Sequence, residues 1–247
     1  MSTGRAASSS ADYRSSLVLA AVPWENWIRT IEVEPSLYAA DFANLGEQID
    51  ILLRAGARIF HFDVGDGHFI EPVTIGPIVL ESIAPLIHAV DGAAIDCHLM
   101  VDNPVRHFPQ IARAGGDSVT FHYEAVEDVL GTIAAAREHD LQVGVAFNPE
   151  TDPSAVAAVS GDADIVLCMS IHPGYSGQKF MPEALERIAT LREMLPGDIP
   201  IQVDGGINTD NIRSVHDAGA TLMVAGSAIF AREDLPRAYR RLVEILA

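Results

Sequence analysis

From residue 31 onward, hydrophobic and polar positions alternate between two periodicities. Short apolar runs rich in β-branched residues predict strands over 31–35, 58–64, 94–100, 118–122, 142–147, 165–170, 199–204 and 222–225. Between them, Ala, Leu and Ile recur at helical spacing over 44–54, 78–88, 105–114, 125–138, 153–159, 183–195, 209–218 and 235–246. Helix boundaries carry their own chemistry. Asn103-Pro104 places a proline where a first turn needs no N–H, and Arg54-Ala55-Gly56, Ala114-Gly115 and Ala218-Gly219 end on a residue that can turn left-handed. Eight strand–helix pairs over residues 31–247 predict a parallel (β/α)8 TIM barrel, whose strands read as continuous apolar runs because both faces are buried. An open doubly wound sheet gives the same alternation. Closure is favoured by the position of the polar residues: His61, Asp63, His98, His122, Asn148, Ser170 and Asp204 all fall at or just past C-terminal strand ends, where a barrel builds its active site.

Residues 1–30 stand outside this pattern as a short N-terminal extension. Its Ser-rich first part is expected to be disordered, and Trp24 and Trp27 to dock across the barrel bottom or onto another subunit. Composition then removes several functions. A net charge of −18 opposes nucleic acid and anionic membranes, and no apolar run reaches the roughly 20 residues of a membrane span. Two cysteines, Cys97 and Cys168, make no disulfide framework, so a cytoplasmic setting is expected. Only Lys179 is available for a Schiff base, which counts against aldolase-type chemistry.

His61 and Asp63 share one face of their strand, with Phe62 opposed, and make half of a divalent-metal site. The same pair also suits a hydrogen-bonded support for the next loop. His98, one strand over, shares its facing with Asp96 and Met100 and shifts the balance toward metal. Asp204 in Val203-Asp204-Gly205-Gly206 would complete two imidazoles and two carboxylates. Two Gly-bearing segments, His172–Gln178 after the sixth strand and Ala225–Ala228 after the eighth, have the composition of phosphate cradles that work through backbone amides and need no lysine.

These residues carry a resemblance. Glu34-Pro35-Ser36-Leu37 with Ala40-Asp41-Phe42, His61-Phe62-Asp63 with Asp66-Gly67-His68-Phe69, Asp96-Cys97-His98-Leu99-Met100, Asn148-Pro149, Pro173-Gly174 with Gly177-Gln178, Val203–Gly206 and Val224–Ser227 together resemble the ribulose-phosphate 3-epimerase family. The resemblance implies a (β/α)8 barrel that inverts C3 of a ketose phosphate. D-ribulose 5-phosphate and D-xylulose 5-phosphate are the expected pair; allulose 6-phosphate or a specialised-pathway phosphosugar is the alternative. It implies His61, Asp63, His98 and Asp204 as ligands of one divalent ion, with zinc expected and iron(II), manganese or cobalt also compatible. Asp63 and Asp204 become the acid/base pair, Ser36 lies near substrate, Met100 and Met169 line the site, and Gly174, Gly177, Gly205, Gly206, Gly226 and Ser227 hold phosphate. A homo-oligomer is expected. The chain departs from the family pattern near the site, at Gly65, where Met is usual, at Ile70-Glu71-Pro72-Val73, where Val-Pro-Asn is usual, and at Ser176, where Gly is usual, while His172 occupies a position that varies in the family. Lyase or synthase barrels that bind phosphate, and a non-catalytic phosphosugar binder, are the competing classes; the two-His, two-Asp set opposes the first and the retained pair of acid/base carboxylates the second.

Overall fold

The computed structural model describes residues 31–247, so the expected extension with Trp24 and Trp27 lies outside the described residues. Strands β1 (Glu32–Pro35), β2 (Ile59–Gly65), β3 (Ala94–Met100), β4 (Ser118–His122), β5 (Gln142–Phe147), β6 (Ile165–Met169), β7 (Ile201–Asp204) and β8 (Leu222–Ala225) form one all-parallel sheet in the order β1-β8-β7-β6-β5-β4-β3-β2. The two ends of that order meet through a parallel bridge between Ser36 and His61, which brings the sheet to a nearly closed barrel. The predicted TIM barrel is therefore the observed fold. Around it run α1 (Leu45–Ala55), α2 (Pro77–Ile87), α3 (Phe108–Ala114), α4 (Val129–Arg137), α5 (Pro153–Ala157), α6 (Ala184–Met194), α7 (Ile212–Asp217), the single turn α8 (Ser227–Phe230) and α9 (Leu235–Leu246).

Alternation along the strands divides the barrel into an outer and an inner face. Outward-facing Phe60, Phe62, Phe121 and Phe147 are fully buried under the helices, each contributing on the order of 2 kcal/mol. A separate cluster of Ile59, Ala94, Ile165 and Leu222, the first residues of their strands, closes the N-terminal end. Above that plug the buried polar residues begin: Glu34, His61, Asp96, Ser118, Thr120 and Gln202, and then Asp63, His98 and His122 toward the C-terminal ends. Within the barrel, buried polar side chains gathered above an apolar plug position the chemistry toward the C-terminal end.

Three helices start three or four residues later than their hydrophobic pattern predicts, α3, α4 and α7, and for the first two a local cause is visible. Residues Pro104–Arg106 form a 3-10 turn and α3 begins at Phe108. Pro109 has no N–H, and its ring crowds the carbonyl four residues back, which disfavours one continuous α-helix through 105–109. The helix expected from 125 starts at Val129 because the Asp128 carboxylate accepts the Gly131 N–H at 2.9 Å and caps it there. No described helix is long and apolar enough to cross a membrane, and both cysteines are free and buried.

One surface pair ties α2 to the sheet. His88 Nε2 lies 2.9 Å from Asp117 Oδ2, which also accepts the Ile95 N–H at 2.8 Å. The hydrogen bond to Asp117 raises the His88 pKa above its ordinary 6.5. A folded-state pKa above the unfolded one contributes stability that is present at acid pH and lost as pH rises through the folded value. His88→Gln is therefore expected to cost more at pH 5.5 than at pH 8.5. With both side chains about a quarter exposed, the difference should stay under about 1 kcal/mol. Urea melts at the two pH values check this, and an equal cost at both would exclude the linkage.

Candidate active site and metal centre

Register places the key side chains. β2 and β3 pair His61 with Asp96 and Asp63 with His98, while β6 and β7 pair Met169 with Asp204. Because the barrel is nearly closed, β7 faces β2 across the lumen. One ligand-type atom from each of His61, Asp63, His98 and Asp204 lies within 4.8 Å of all the others. Asp63 Oδ1 is 3.3 Å from His61 Nε2 and 3.2 Å from His98 Nδ1, and Asp204 Oδ2 is 4.0 Å from that same Nδ1. The four side chains expected from the sequence to meet at one point do meet.

Two observations fit this centre to a divalent cation. His61 Nε2, fully buried and aimed at the gap, makes no well-aligned hydrogen bond among the described residues; its polar neighbour there is Asp63 Oδ1 at 3.3 Å. Two carboxylates also converge in a space that only the Asp204 side chain opens to solvent, at 17% exposure. Burial and then the neighbouring Asp63 charge push the Asp204 carboxyl up to about 7. Asp63 goes the other way. Burial opposes its ionisation, but the charge and hydrogen bond of His61 and then the contact with His98 hold it well below the usual carboxylate range. Nitrogen and carboxylate donors in a two-plus-two set suit zinc, and iron(II), manganese or cobalt as well.

Beneath the centre lies a polar assembly that sequence reading missed. His61 Nδ1 sits 3.0 Å from Asp96 Oδ2. Asp96 also accepts from Ser118 Oγ at 2.6 Å, and from the Gln202 amide at 2.8 Å. The same amide donates to Glu34 Oε2 at 2.6 Å. With Asp96 on its Nδ1, His61 turns Nε2 toward the gap, the arrangement by which outer groups orient a metal-binding imidazole. Glu34 is pushed up to about 7, first by burial and also by the nearby Asp96 charge.

Above the centre a cavity opens, lined by Ser36, Met100 and Met169 together with Asp63 and Asp204. Ser36 donates its hydroxyl to Asp63 Oδ2 at 2.8 Å, the oxygen turned away from the imidazoles. The rim carries every glycine predicted for phosphate: Gly174, Gly177, Gly205, Gly206 and Gly226, with Ser227 opening α8. Gly206 is required there. Its φ is +67°, and a Cβ would come within 2.5 Å of the Phe180 backbone nitrogen. A second cleft shares Gly177, Gly206 and Ser227 with this rim and is lined by Lys179, the one lysine of the chain. Tyr175 and Val224, from two of the segments singled out in the sequence, also line the main cavity, as do Tyr38, Ile171 and Ile207, to which no motif pointed.

The departures from the family pattern are complementary in space. A Cβ on Gly65 would lie 2.5 Å from Ile70 Cδ1 and 3.1 Å from the Pro72 carbonyl oxygen. Ile70, buried at 5% exposure, fills the volume that a side chain at 65 would need. The two changes thus form one repacked unit. Next to it, Tyr175 donates its hydroxyl to Glu71 Oε2 at 3.1 Å, joining the loop after β2 to the loop after β6 at the cavity mouth.

A family model described as the ribulose-phosphate 3 epimerase family matches residues 32–230. Among curated proteins, ribulose-phosphate 3-epimerase of Bacillus subtilis strain 168 is 39% identical over 212 residues, covering 84% of this chain and 96% of that protein. Ribulose-phosphate 3-epimerase of Escherichia coli K12 is 40% identical over 215 residues, covering 86% and 92%. Among solved structures, 3-hexulose-6-phosphate synthase from Salmonella typhimurium aligns with a TM-score of 0.67 at 19% identity, over 87% of this chain and 98% of that one. Tryptophan synthase of Mycobacterium tuberculosis aligns at 0.65 and 17% identity, over 90% and 96%. At those identities the two structures establish the barrel alone.

Proposed function

Because the chain belongs to the ribulose-phosphate 3-epimerase family, we propose that it inverts C3 of D-ribulose 5-phosphate to give D-xylulose 5-phosphate, by two-base proton transfer through a cis-enediolate. The observation that carries this reading is the convergence of Asp63 and Asp204, from opposite sides of the barrel, on one gap shared with two imidazoles. Inverting a carbon beside a carbonyl means removing its proton from one face and returning a proton to the other. A single fixed base does not reach both faces, whereas two carboxylates on β2 and β7 do.

His61, Asp63, His98 and Asp204 would hold the divalent ion. When bound, that ion supplies Lewis-acid stabilisation of the negative charge that develops on the sugar oxygens. Each aspartate keeps a second oxygen for the proton. Asp63 Oδ2 is steadied by the Ser36 hydroxyl, which orients it toward the cavity. Met100 and Met169 add apolar, polarizable walls that exclude water without offering a competing hydrogen-bond donor. Backbone N–H groups at Gly174, Gly177, Gly205, Gly206, Gly226 and Ser227 would receive the phosphate. A rim of amides suits a chain that is otherwise strongly acidic.

The Gly65–Ile70 unit and the Tyr175–Glu71 contact lie at the mouth where the sugar enters, and they support testing a longer ketose as the second reading. Purified protein incubated in deuterated water with D-ribulose 5-phosphate and, separately, allulose 6-phosphate is expected to place deuterium at C3 and invert it, fastest with the pentulose. Faster inversion of the hexulose would transfer the assignment to the alternative. No exchange on any ketose phosphate would end both.

A further inference from the structure

We propose that His122, held by Glu124, is a positioning residue that fixes His98 with its Nε2 protonated and its Nδ1 lone pair turned into the four-residue centre. The inference rests on the metal-binding reading of that centre and concerns residues to which it gives no part.

The geometry is specific. His98 Nε2 and His122 Nε2 are 2.8 Å apart, and both side chains are fully buried. The ring centroids are 5.0 Å apart with the planes within 23° of parallel. At that separation, near-parallel rings in nitrogen–nitrogen contact lie edge to edge, which is hydrogen-bond geometry rather than face-to-face stacking. One nitrogen must donate and the other accept.

Glu124 decides which. His122 Nδ1 lies 3.3 Å from Glu124 Oε2, and an ionised carboxylate only accepts. Glu124 is itself fixed, because its other oxygen, Oε1, takes the Asn148 N–H at 2.7 Å and the Thr151 hydroxyl. His122 therefore carries its proton on Nδ1 and presents a lone pair at Nε2. His98 then donates from Nε2, and its own lone pair falls on Nδ1. That is the nitrogen 3.2 Å from Asp63 Oδ1 and 4.0 Å from Asp204 Oδ2. Phe69, with its ring centroid 4.7 Å from that of His122, packs the imidazole in place. The two imidazoles of the centre are thus supported differently. His61 leans directly on the Asp96 carboxylate, and His98 on a carboxylate one imidazole further away.

Two substitutions separate hydrogen bonding from packing. His122→Phe keeps a ring between His98 and Phe69 but removes the acceptor. His122→Gln can return an amide oxygen near the former Nε2. Zinc affinity of the full chain, measured by competition with a chromophoric chelator, is expected to fall about 10- to 100-fold in His122→Phe and to recover most of the way in His122→Gln. Parent-like affinity in His122→Phe, or equal loss in both variants, would overturn the proposal. Should His122→Phe fail to fold, nitrogen-15 spectra of the unmodified chain decide: a protonated Nδ1 with a bare Nε2 on His122 supports the relay, and the opposite tautomer refutes it. Both readouts are independent of turnover, so a chain inactive on every ketose phosphate would overturn the epimerase assignment and leave this one standing.

Discussion

Replacing Asp63 with Asn is expected to lower turnover by about 10³-fold or more, and Asp204→Asn to do the same, each equivalent to about 4 kcal/mol of barrier. The size follows from the chemistry, since a carboxamide cannot take up a proton near neutral pH. The pattern of loss is more discriminating than its size. If each carboxylate serves one face of C3, removing one leaves the other able to withdraw and return the proton on its own side. One variant should then keep solvent hydrogen exchange at C3 of D-ribulose 5-phosphate without inversion, and the other should keep it only from D-xylulose 5-phosphate. A single base serving both faces predicts loss of exchange from both epimers in the same variant. Because both aspartates also converge with His61 and His98, bound metal must be quantified in each variant. An Asn oxygen remains a donor, so full metal content with lost inversion isolates the proton-transfer role. Full turnover in either variant would falsify the two-base assignment.

The barrel was legible because its strands obey a simple rule. The runs 94–100, 118–122, 142–147 and 222–225 are observed with the same ends, since an apolar segment bounded by turn residues has few other places to stop. Helix starts were less legible where a local competitor intervened, as Pro109 does before α3 and the Asp128 cap before α4. In the site, His61, Asp63, His98 and Asp204 announced themselves as polar residues at strand ends. Glu34 and Gln202 did not, although both interrupt apolar runs at inward-facing positions and so left a usable signal. Their partnership depends on the closure of β1 against the far strands, a contact between residues 168 positions apart that no local pattern encodes. His122 was visible at a strand end, but its contact with His98 needs β3 and β4 to pair, and the anchoring of Glu124 needs the turn after β4 and the loop after β5 to meet.

Stripping divalent metal with a chelator should abolish turnover, with recovery on adding zinc or another divalent ion, and it should also lower the melting temperature in a pH-dependent way. In the metal-free chain the Asp204 carboxyl is pushed up to about 7, by burial first and then by the Asp63 charge. A carboxyl raised in the folded state contributes stability that is fully present below its unfolded pKa of 3.8 and lost as pH climbs through about 7. A metal-free chain at pH 8 therefore holds two ionised carboxylates facing one another across a largely buried gap. At pH 5 Asp204 keeps its proton and the strain is relieved. A divalent ion reverses the order, because it binds the ionised pair and must displace the proton at pH 5. The increase in melting temperature on adding zinc should accordingly be larger at pH 8 than at pH 5. With free ion a thousandfold above its Kd, binding stabilises the fold by about 4 kcal/mol. A melting temperature indifferent to zinc at both pH values would mean that the four side chains do not grip an ion. A shift larger at pH 5 would mean that Asp204 is not one of the groups that does.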